Sequence, residues 1–162
     1  MAADSATLEV ALRPVTDADR EFLFGVYAAA RDEELSQVAW MPGQREAFVR
    51  MQFDAQHSEY LRHNPRGSFD VITVGGRPAG RLYVDRRATD IRIVDIALLP
   101  EFRGAGVGGH LVSGLMDEAA ASGRSLSIHV EVHNRAARLY ERMGFVVAAD
   151  LGVYRRMEWT TP

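Results

Sequence analysis

Two residue types are missing from the 162-residue chain: it has no cysteine, and all nineteen of its basic residues are arginine. Without cysteine there is no disulfide framework, no thiolate metal site and no cysteine nucleophile. Without lysine there is no P-loop, whose grip on phosphate depends on that ammonium group. Long apolar runs are absent too. No stretch approaches the ~20 apolar residues needed to span a bilayer. Met1-Ala2-Ala3-Asp4-Ser5 also lacks the charged-then-apolar order of a signal peptide. The expected address is therefore cytoplasmic, with no membrane partner. A formal net charge of −3 gives no electrostatic case for a nucleic-acid partner.

What is present is an average globular composition, 47% hydrophobic and 25% charged, which excludes disordered and collagen-like classes. At ~100–200 residues per domain, the length predicts a single domain over 1–162. No internal repeat or shift in composition offers a place to cut it.

Hydrophobic period gives the order of elements. Residues 8–13 alternate weakly as a first strand. Thr16-Asp17-Ala18-Asp19 supplies capping groups for a helix over 17–31, whose Phe22, Leu23, Val26, Tyr27 and Ala30 recur at helical spacing. A second helix is predicted over 44–62, with Phe48, Met51, Ala55 and Leu61 inward, stopped by Asn64-Pro65-Arg66-Gly67. Strands follow at 69–74 and 79–85 around a Gly75-Gly76 turn, then a more apolar strand at 91–99. A helix over 106–122 carries Val107, Leu111, Leu115 and Ala119 on one face. A strand at 126–132, a short helix at 134–143 and a last strand at 153–159 complete the chain, with a further short strand possible at 145–147. Antiparallel strands followed by a βαβ crossover imply a mixed sheet flanked by helices.

The most informative segment is Asp95-Ile96-Ala97-Leu98-Leu99-Pro100-Glu101-Phe102-Arg103-Gly104-Ala105-Gly106-Val107-Gly108-Gly109. An apolar strand enters a glycine-rich turn that opens an amphipathic helix. Glycine lets backbone N–H groups approach a ligand without an intervening Cβ, and the helix N-terminus adds about half a positive charge. Together they make an anion site, with phosphate the usual guest. Gly104-x-Gly106-x-x-Gly109 also fits a dinucleotide fingerprint, with Glu131 downstream. Against that reading, Pro100 to Arg103 separate strand from turn, and the preceding strands read as antiparallel.

Arg103-Gly104-Ala105-Gly106-Val107-Gly108 matches the Q/R-x-x-G-x-G/A signature of the GNAT superfamily of acetyl-CoA-dependent N-acetyltransferases. Asn134-Arg135-Ala136-Ala137-Arg138-Leu139-Tyr140-Glu141-Arg142-Met143-Gly144-Phe145 resembles that superfamily's N-x-A-x-x-L-Y-x-x-x-G-F block. Two matches in order, across one predicted strand, cover about 91–147. The resemblance implies a mixed α/β fold with a central, mostly antiparallel sheet of six to seven strands and about four helices.

It also implies roles. The pyrophosphate of CoA would rest on the amides of Gly104, Ala105, Gly106, Val107, Gly108 and Gly109, beside Arg103. The pantetheine arm would run along the backbone of Ile96, Ala97 and Leu98. Asn134 would touch the cofactor, cap the following helix, or both. Tyr140 would donate a hydrogen bond or proton to the departing CoA sulfur. His129 shares a strand face with Ser127 and Glu131 and matches a position that is a general base in some relatives; Glu131, Asp95 and a water chain are its rivals.

The acceptor is expected to be a small-molecule amine, or a peptide amine, bound near Trp40, Gln52, Gln56 and Tyr83. Glu33 and Glu34 would attract a cationic amine or serve as solvated helix-end charges. His110, His129 and His133 lack the short carboxylate–histidine pattern of a metal site, so none is expected. Exposed sheet edges make a homodimer plausible. A non-catalytic CoA-sensing module on the same fold and a dinucleotide-dependent oxidoreductase are the competing functions.

Overall fold

The computed structural model describes residues 9–132 and 134–162. The sequence readings that rest on Met1 to Ser5, Leu8 and His133 fall outside them. The chain runs β1 (Val10–Pro14), α1 (Arg20–Leu35, entered through a 3-10 turn at Asp17–Asp19), α2 (Gln44–His63), β2 (Ser68–Val74), β3 (Arg77–Arg86) and β4 (Asp90–Leu98). After a 3-10 turn at Pro100–Phe102 come α3 (Val107–Ser122), β5 (Ser125–Glu131), α4 (Ala136–Arg142), β6 (Val146–Asp150) and β7 (Tyr154–Trp159). The segment around 145–147 is thus a full strand, and α1 continues past its expected end because Leu35 is buried in the helical core.

The seven strands form one sheet in the order β1-β2-β3-β4-β5-β7-β6. Only β4 and β5 pair in parallel, joined through α3; every other neighbour is antiparallel. One face packs on α3 and α4 through Ile91, Ile93, Leu126, Ile128, Val130, Val112, Leu115 and Tyr140. A separate apolar cluster of Leu23, Tyr27, Leu35, Val49 and Phe53 joins α1 to α2, and α1 lies against β3 and β4 on the opposite face.

The inward face of α2 differs from the expected one. Met51 and Leu61 are 58% and 49% exposed, whereas Val49 and Phe53 are buried. The inner stripe runs Val49, Phe53, Gln56, Tyr60, at spacings of four, three and four. Its polar member is there because Gln56 meets a buried arginine, Arg81 of β3. Hydrophobicity alone steers a reading away from that stripe.

Two irregularities of β4 shape the centre of the sheet. Tyr83 pairs with Asp95 but Val84 with Ile93, so Val94 is an extra residue in a β-bulge. Before the bulge, Ile91 and Ile93 face the α3 core; after it, Ile96 and Leu98 do. The bulge therefore turns Asp95 away from that core and towards α1 and α2. In addition, the parallel ladder with β5 covers only Asp90–Ile93 against Ser125–Ile128. Beyond Ile93 the two strands splay, and the β5-facing backbone edge of Val94–Leu98 is free of the ladder.

Gly80 of β3 pairs with Leu98, and a Cβ there would collide with the Ala97 carbonyl oxygen. Backbone cannot yield as a flexible side chain does. Gly80→Ala is therefore expected to cost about 1–3 kcal/mol of stability, read as a fall in the denaturant midpoint. An unchanged midpoint would contradict this packing.

Candidate functional site

The glycine turn lies just beyond the splayed end of β4. Gly104 and Gly106 adopt φ of 78° and 86°, a region that favours glycine. Gly106 caps α3 without any side-chain cap. Among the described residues, the N–H groups of Gly104 through Gly109 donate to no loop, turn or cap carbonyl, and none has a side-chain acceptor. A Cβ placed on Gly104, Gly106 or Gly108 would meet nothing within 4 Å. The turn is thus a row of unspent donors under open space at a helix N-terminus, as an anion site requires.

Arg103 sits at the edge of this row, its Nε donating to the Leu98 carbonyl at 2.9 Å. It also lines a cavity of about 380 Å³, together with Pro100 and with Ala28, Asp32, Glu33 and Arg45 of the two helices. Asp32 pairs with Arg45 at 2.6 Å, Glu34 with Arg31 at 2.5 Å, and Glu33 faces Arg135 at 3.8 Å.

From the α3 side, α4 brings Tyr140 into the core. Leu139 lies 4.0 Å from a Cβ built on Gly109, so α4 packs beside the start of α3. The Tyr140 ring is 4% exposed and stands 5.6 Å from that of Phe145. Burial, and then the Asp95 carboxylate, push its phenol up to about 12. Asn134 accepts the Ala136 N–H at 2.8 Å, which is the capping role.

From the α1–α2 side comes a buried polar group. Arg81 and Asp95 form an ion pair at 2.5 Å, and Gln56 Oε1 accepts the same Arg81 Nη2 at 3.0 Å. The Tyr83 ring packs edge-on against Phe69 and Tyr60, and its hydroxyl is buried without a partner. Trp40 is elsewhere: its Nε1 donates to the Leu35 carbonyl and its ring lies 5.4 Å from Phe48. Gln52 is half-buried on α2, four residues before Gln56.

His129 stands on the same sheet face, one residue past the β4–β5 ladder. Its Nε2 lies 3.3 Å from Arg92 Nη1. Arg92 Nε donates to Ser127, and Ser127 donates to Asp90. Burial, then Arg92, Arg156 and Arg87, hold the imidazole below its ordinary value.

The sequence model of the Acetyltransferase (GNAT) family matches residues 27–145, most of the chain. The chain belongs to the GNAT acetyltransferase family. The dinucleotide reading falls with the same topology, since the strands before the turn are antiparallel and a doubly wound sheet needs them parallel. Among solved structures, this acetyltransferase resembles the PaiA N-acetyltransferase of Thermoplasma acidophilum in complex with coenzyme A. The TM-score is 0.71 at 16% identity, over 94% of this chain and 99% of the other. An acetyltransferase from Thermus thermophilus gives 0.69 at 22% identity, over 95% and 98%. A GNAT acetyltransferase from Elizabethkingia anophelis with acetyl-CoA bound gives 0.61 at 15%, over 94% and 98%. These likenesses are of fold. No curated protein matches the sequence.

The acetyltransferase has no group of three or more potential metal ligands, and no helix long and apolar enough to cross a membrane, among the described residues. Sequence reading missed Arg81 and Arg92. The signal for Arg81 was a lone charge inside Ala79-Gly80-Arg81-Leu82-Tyr83-Val84, where a buried strand has no place for an unpaired cation.

Burial also raises the phenols of Tyr60 and Tyr83. For Tyr140 the folded value of about 12 exceeds the ~10 of a free tyrosine. Burial excludes only the ionised form, so stability is independent of this phenol below pH ~10 and falls as pH rises from there towards 12, by up to roughly 3 kcal/mol. In an absorbance titration, Tyr60, Tyr83 and Tyr140 should ionise only together with loss of circular dichroism. Smooth ionisation of all five tyrosines near pH 10, with the fold retained, would refute this.

Proposed function

We propose that the protein transfers the acetyl group of acetyl-CoA to a primary amine, by direct attack within a ternary complex. The observation that carries this reading is the unbroken run of free amides at Gly104–Gly109, beyond the splayed end of β4. In this reading the amides and Arg103 hold the pyrophosphate, which they suit as donors open to solvent. The freed edge of Ile96, Ala97 and Leu98 offers main-chain hydrogen bonds to the pantetheine arm, and Asn134 adds its amide. The Tyr140 hydroxyl donates to the departing sulfur. The acceptor approaches from the α1–α2 side, where Gln52, Gln56, Tyr83, Asp95 and His129 lie on or near one face, with Trp40 shaping the helices above. Direct attack is supported by composition: with no cysteine, the chain has no thiol on which to park the acetyl group. A small-molecule amine suits this half-enclosed face better than a protein N-terminus.

The test is release of free thiol from acetyl-CoA against a panel of amines and polyamines, which the protein does not obscure because it has no thiol. Acetyl-CoA should raise the melting temperature, and at least one amine should release CoA. A thermal shift without release by any amine would instead identify a CoA-sensing module.

A further inference from the structure

Three donor side chains stand side by side on one face of the sheet, and among the described residues no carboxylate is within hydrogen-bond distance of any of them. Arg92 of β4, His129 of β5 and Arg156 of β7 lie on three adjacent strands, and His129 and Arg156 are direct register partners. The helix α1 lies against β3 and β4, and His129 is exposed, so the group is reached from solvent. Each arginine has a carboxylate near it without a bond to it. Arg92 Nε stands 4.0 Å from Asp90 Oδ2, and Arg156 Nη2 stands 3.9 Å from Glu158 Oε2. Asp90 instead accepts the hydroxyls of Ser125 and Ser127, at 2.7 and 2.6 Å. Arg156 Nε is buried without any partner, an arrangement that stability alone disfavours. Burial first, then Arg87 and Arg156, push the Arg92 guanidinium below its ordinary value, with Asp90 and Glu158 opposing. An anion placed here would relieve that crowding of cations.

The group also stands at the closed end of the splay. Ile93 and Ile128 form the last rung of the parallel ladder, and Arg92 and His129 flank it. With pyrophosphate at Gly104–Gly109 and pantetheine along Leu98 to Ile96, as proposed above, the thioester points back along β4 towards this end.

We propose that Arg92, Arg156 and His129 form an anion site that takes the carboxylate of the acceptor, so that the acceptor is an amino acid or another amine bearing a nearby carboxylate. This rests on the acetyl transfer proposed above and names its acceptor class. Each guanidinium offers a planar fork that matches a carboxylate. An arginine only donates, so His129 Nε2 accepts from Arg92 Nη1 at 3.3 Å and the ring hydrogen sits on Nδ1, which makes a third donor. Ser127, accepting Arg92 Nε at 2.7 Å, fixes that side chain. The other charges nearby are placed differently: Arg87 is paired with Asp85 at 3.0 Å, and Glu131 is the register partner of Tyr154.

The experiment compares kcat/KM at neutral pH for acceptors that differ only in this group: glycine with glycinamide, β-alanine with β-alaninamide, and further L-amino acids with their amides. The amine of an amide is less protonated at neutral pH than that of the parent acid, so intrinsic reactivity runs against the expected order. The wild type should favour the acid of at least one pair by ~10-fold or more, chiefly through KM. In R92M and R156M the acid-to-amide ratio should fall by ~10–100-fold, the range of a charge-assisted hydrogen bond. R156K should recover part of it. Propionate, which has the carboxylate and no amine, should inhibit the wild type competitively against the acceptor and not against acetyl-CoA, which separates this site from Gly104–Gly109. Should R92M fail to fold, R156M and propionate preserve the comparison. Amides that match or outperform their acids in every pair would overturn the inference. So would equal losses on both members of a pair, which would leave the arginines a structural role. Thiol release with no amine of either kind, despite a thermal shift with acetyl-CoA, would remove the acetyl-transfer reading and this acceptor class with it, an outcome distinct from the others.

Discussion

Tyr140→Phe is expected to slow acetyl transfer by about 10²–10³-fold while leaving acetyl-CoA binding and the melting temperature nearly unchanged. The ring is the structural part of this side chain, packed beside Phe145, and phenylalanine keeps it. Only the hydroxyl is lost. Full proton transfer is not what that hydroxyl does best. With the phenol pushed up to about 12, giving its proton to a thiolate of ~8.5 runs uphill by roughly 5 kcal/mol. A hydrogen bond that strengthens as charge gathers on sulfur costs nothing of the kind, and its removal accounts for the expected loss. The defect should therefore be constant from pH 6 to 9, since Tyr140 does not titrate there. A Phe variant with unaltered kcat would remove Tyr140 from the reaction.

Gly108→Glu is expected to weaken acetyl-CoA binding by about 100-fold or more without weakening the fold. Gly108 has an ordinary helical φ, and a Cβ there meets nothing within 4 Å. A carboxylate in the first turn of α3 even complements the helix dipole. Yet that charge stands among the amides of Gly104–Gly109 and competes with an incoming pyrophosphate. The unliganded melting temperature should hold or rise, while the acetyl-CoA-induced shift disappears. Gly106→Ala provides the contrast, because its φ of 86° makes the substitution strained regardless of space, so fold and binding suffer together. A full ligand shift in Gly108→Glu would show that the phosphates lie elsewhere.

The local elements of this fold were legible because hydrophobic period and glycine turns are written along the chain. The turn at Gly104–Gly109 and the Asn134–Phe145 block were legible for the same reason: their chemistry is local and largely main-chain. The acceptor side was not. Gln56 reads as a pocket-shaping residue, but nothing in its own segment reveals Arg81 as its partner, and Arg81 looks out of place until Asp95 is seen across the strand. Met51 and Leu61 are apolar enough to suggest an inner face, yet the α2 stripe is chosen by a partner two elements away. Nothing around Val94 marks a bulge, since neither glycine nor proline stands there. Contacts that exist only between distant segments leave no periodic trace.

That bulge has an evolutionary reading. Because the proposed cofactor contacts of Ile96, Ala97 and Leu98 are with backbone rather than side chains, β4 should tolerate exchanges of one apolar residue for another far better than any change in its length. Deleting Val94 would swing Asp95 in among Ile91 and Ile93 and strand its charge against Val112 and Leu115, while Arg81 would lose its counterion. A variant of this strand can drift in composition, but a single inserted or lost codon would cost the protein both its core and its acceptor side at once.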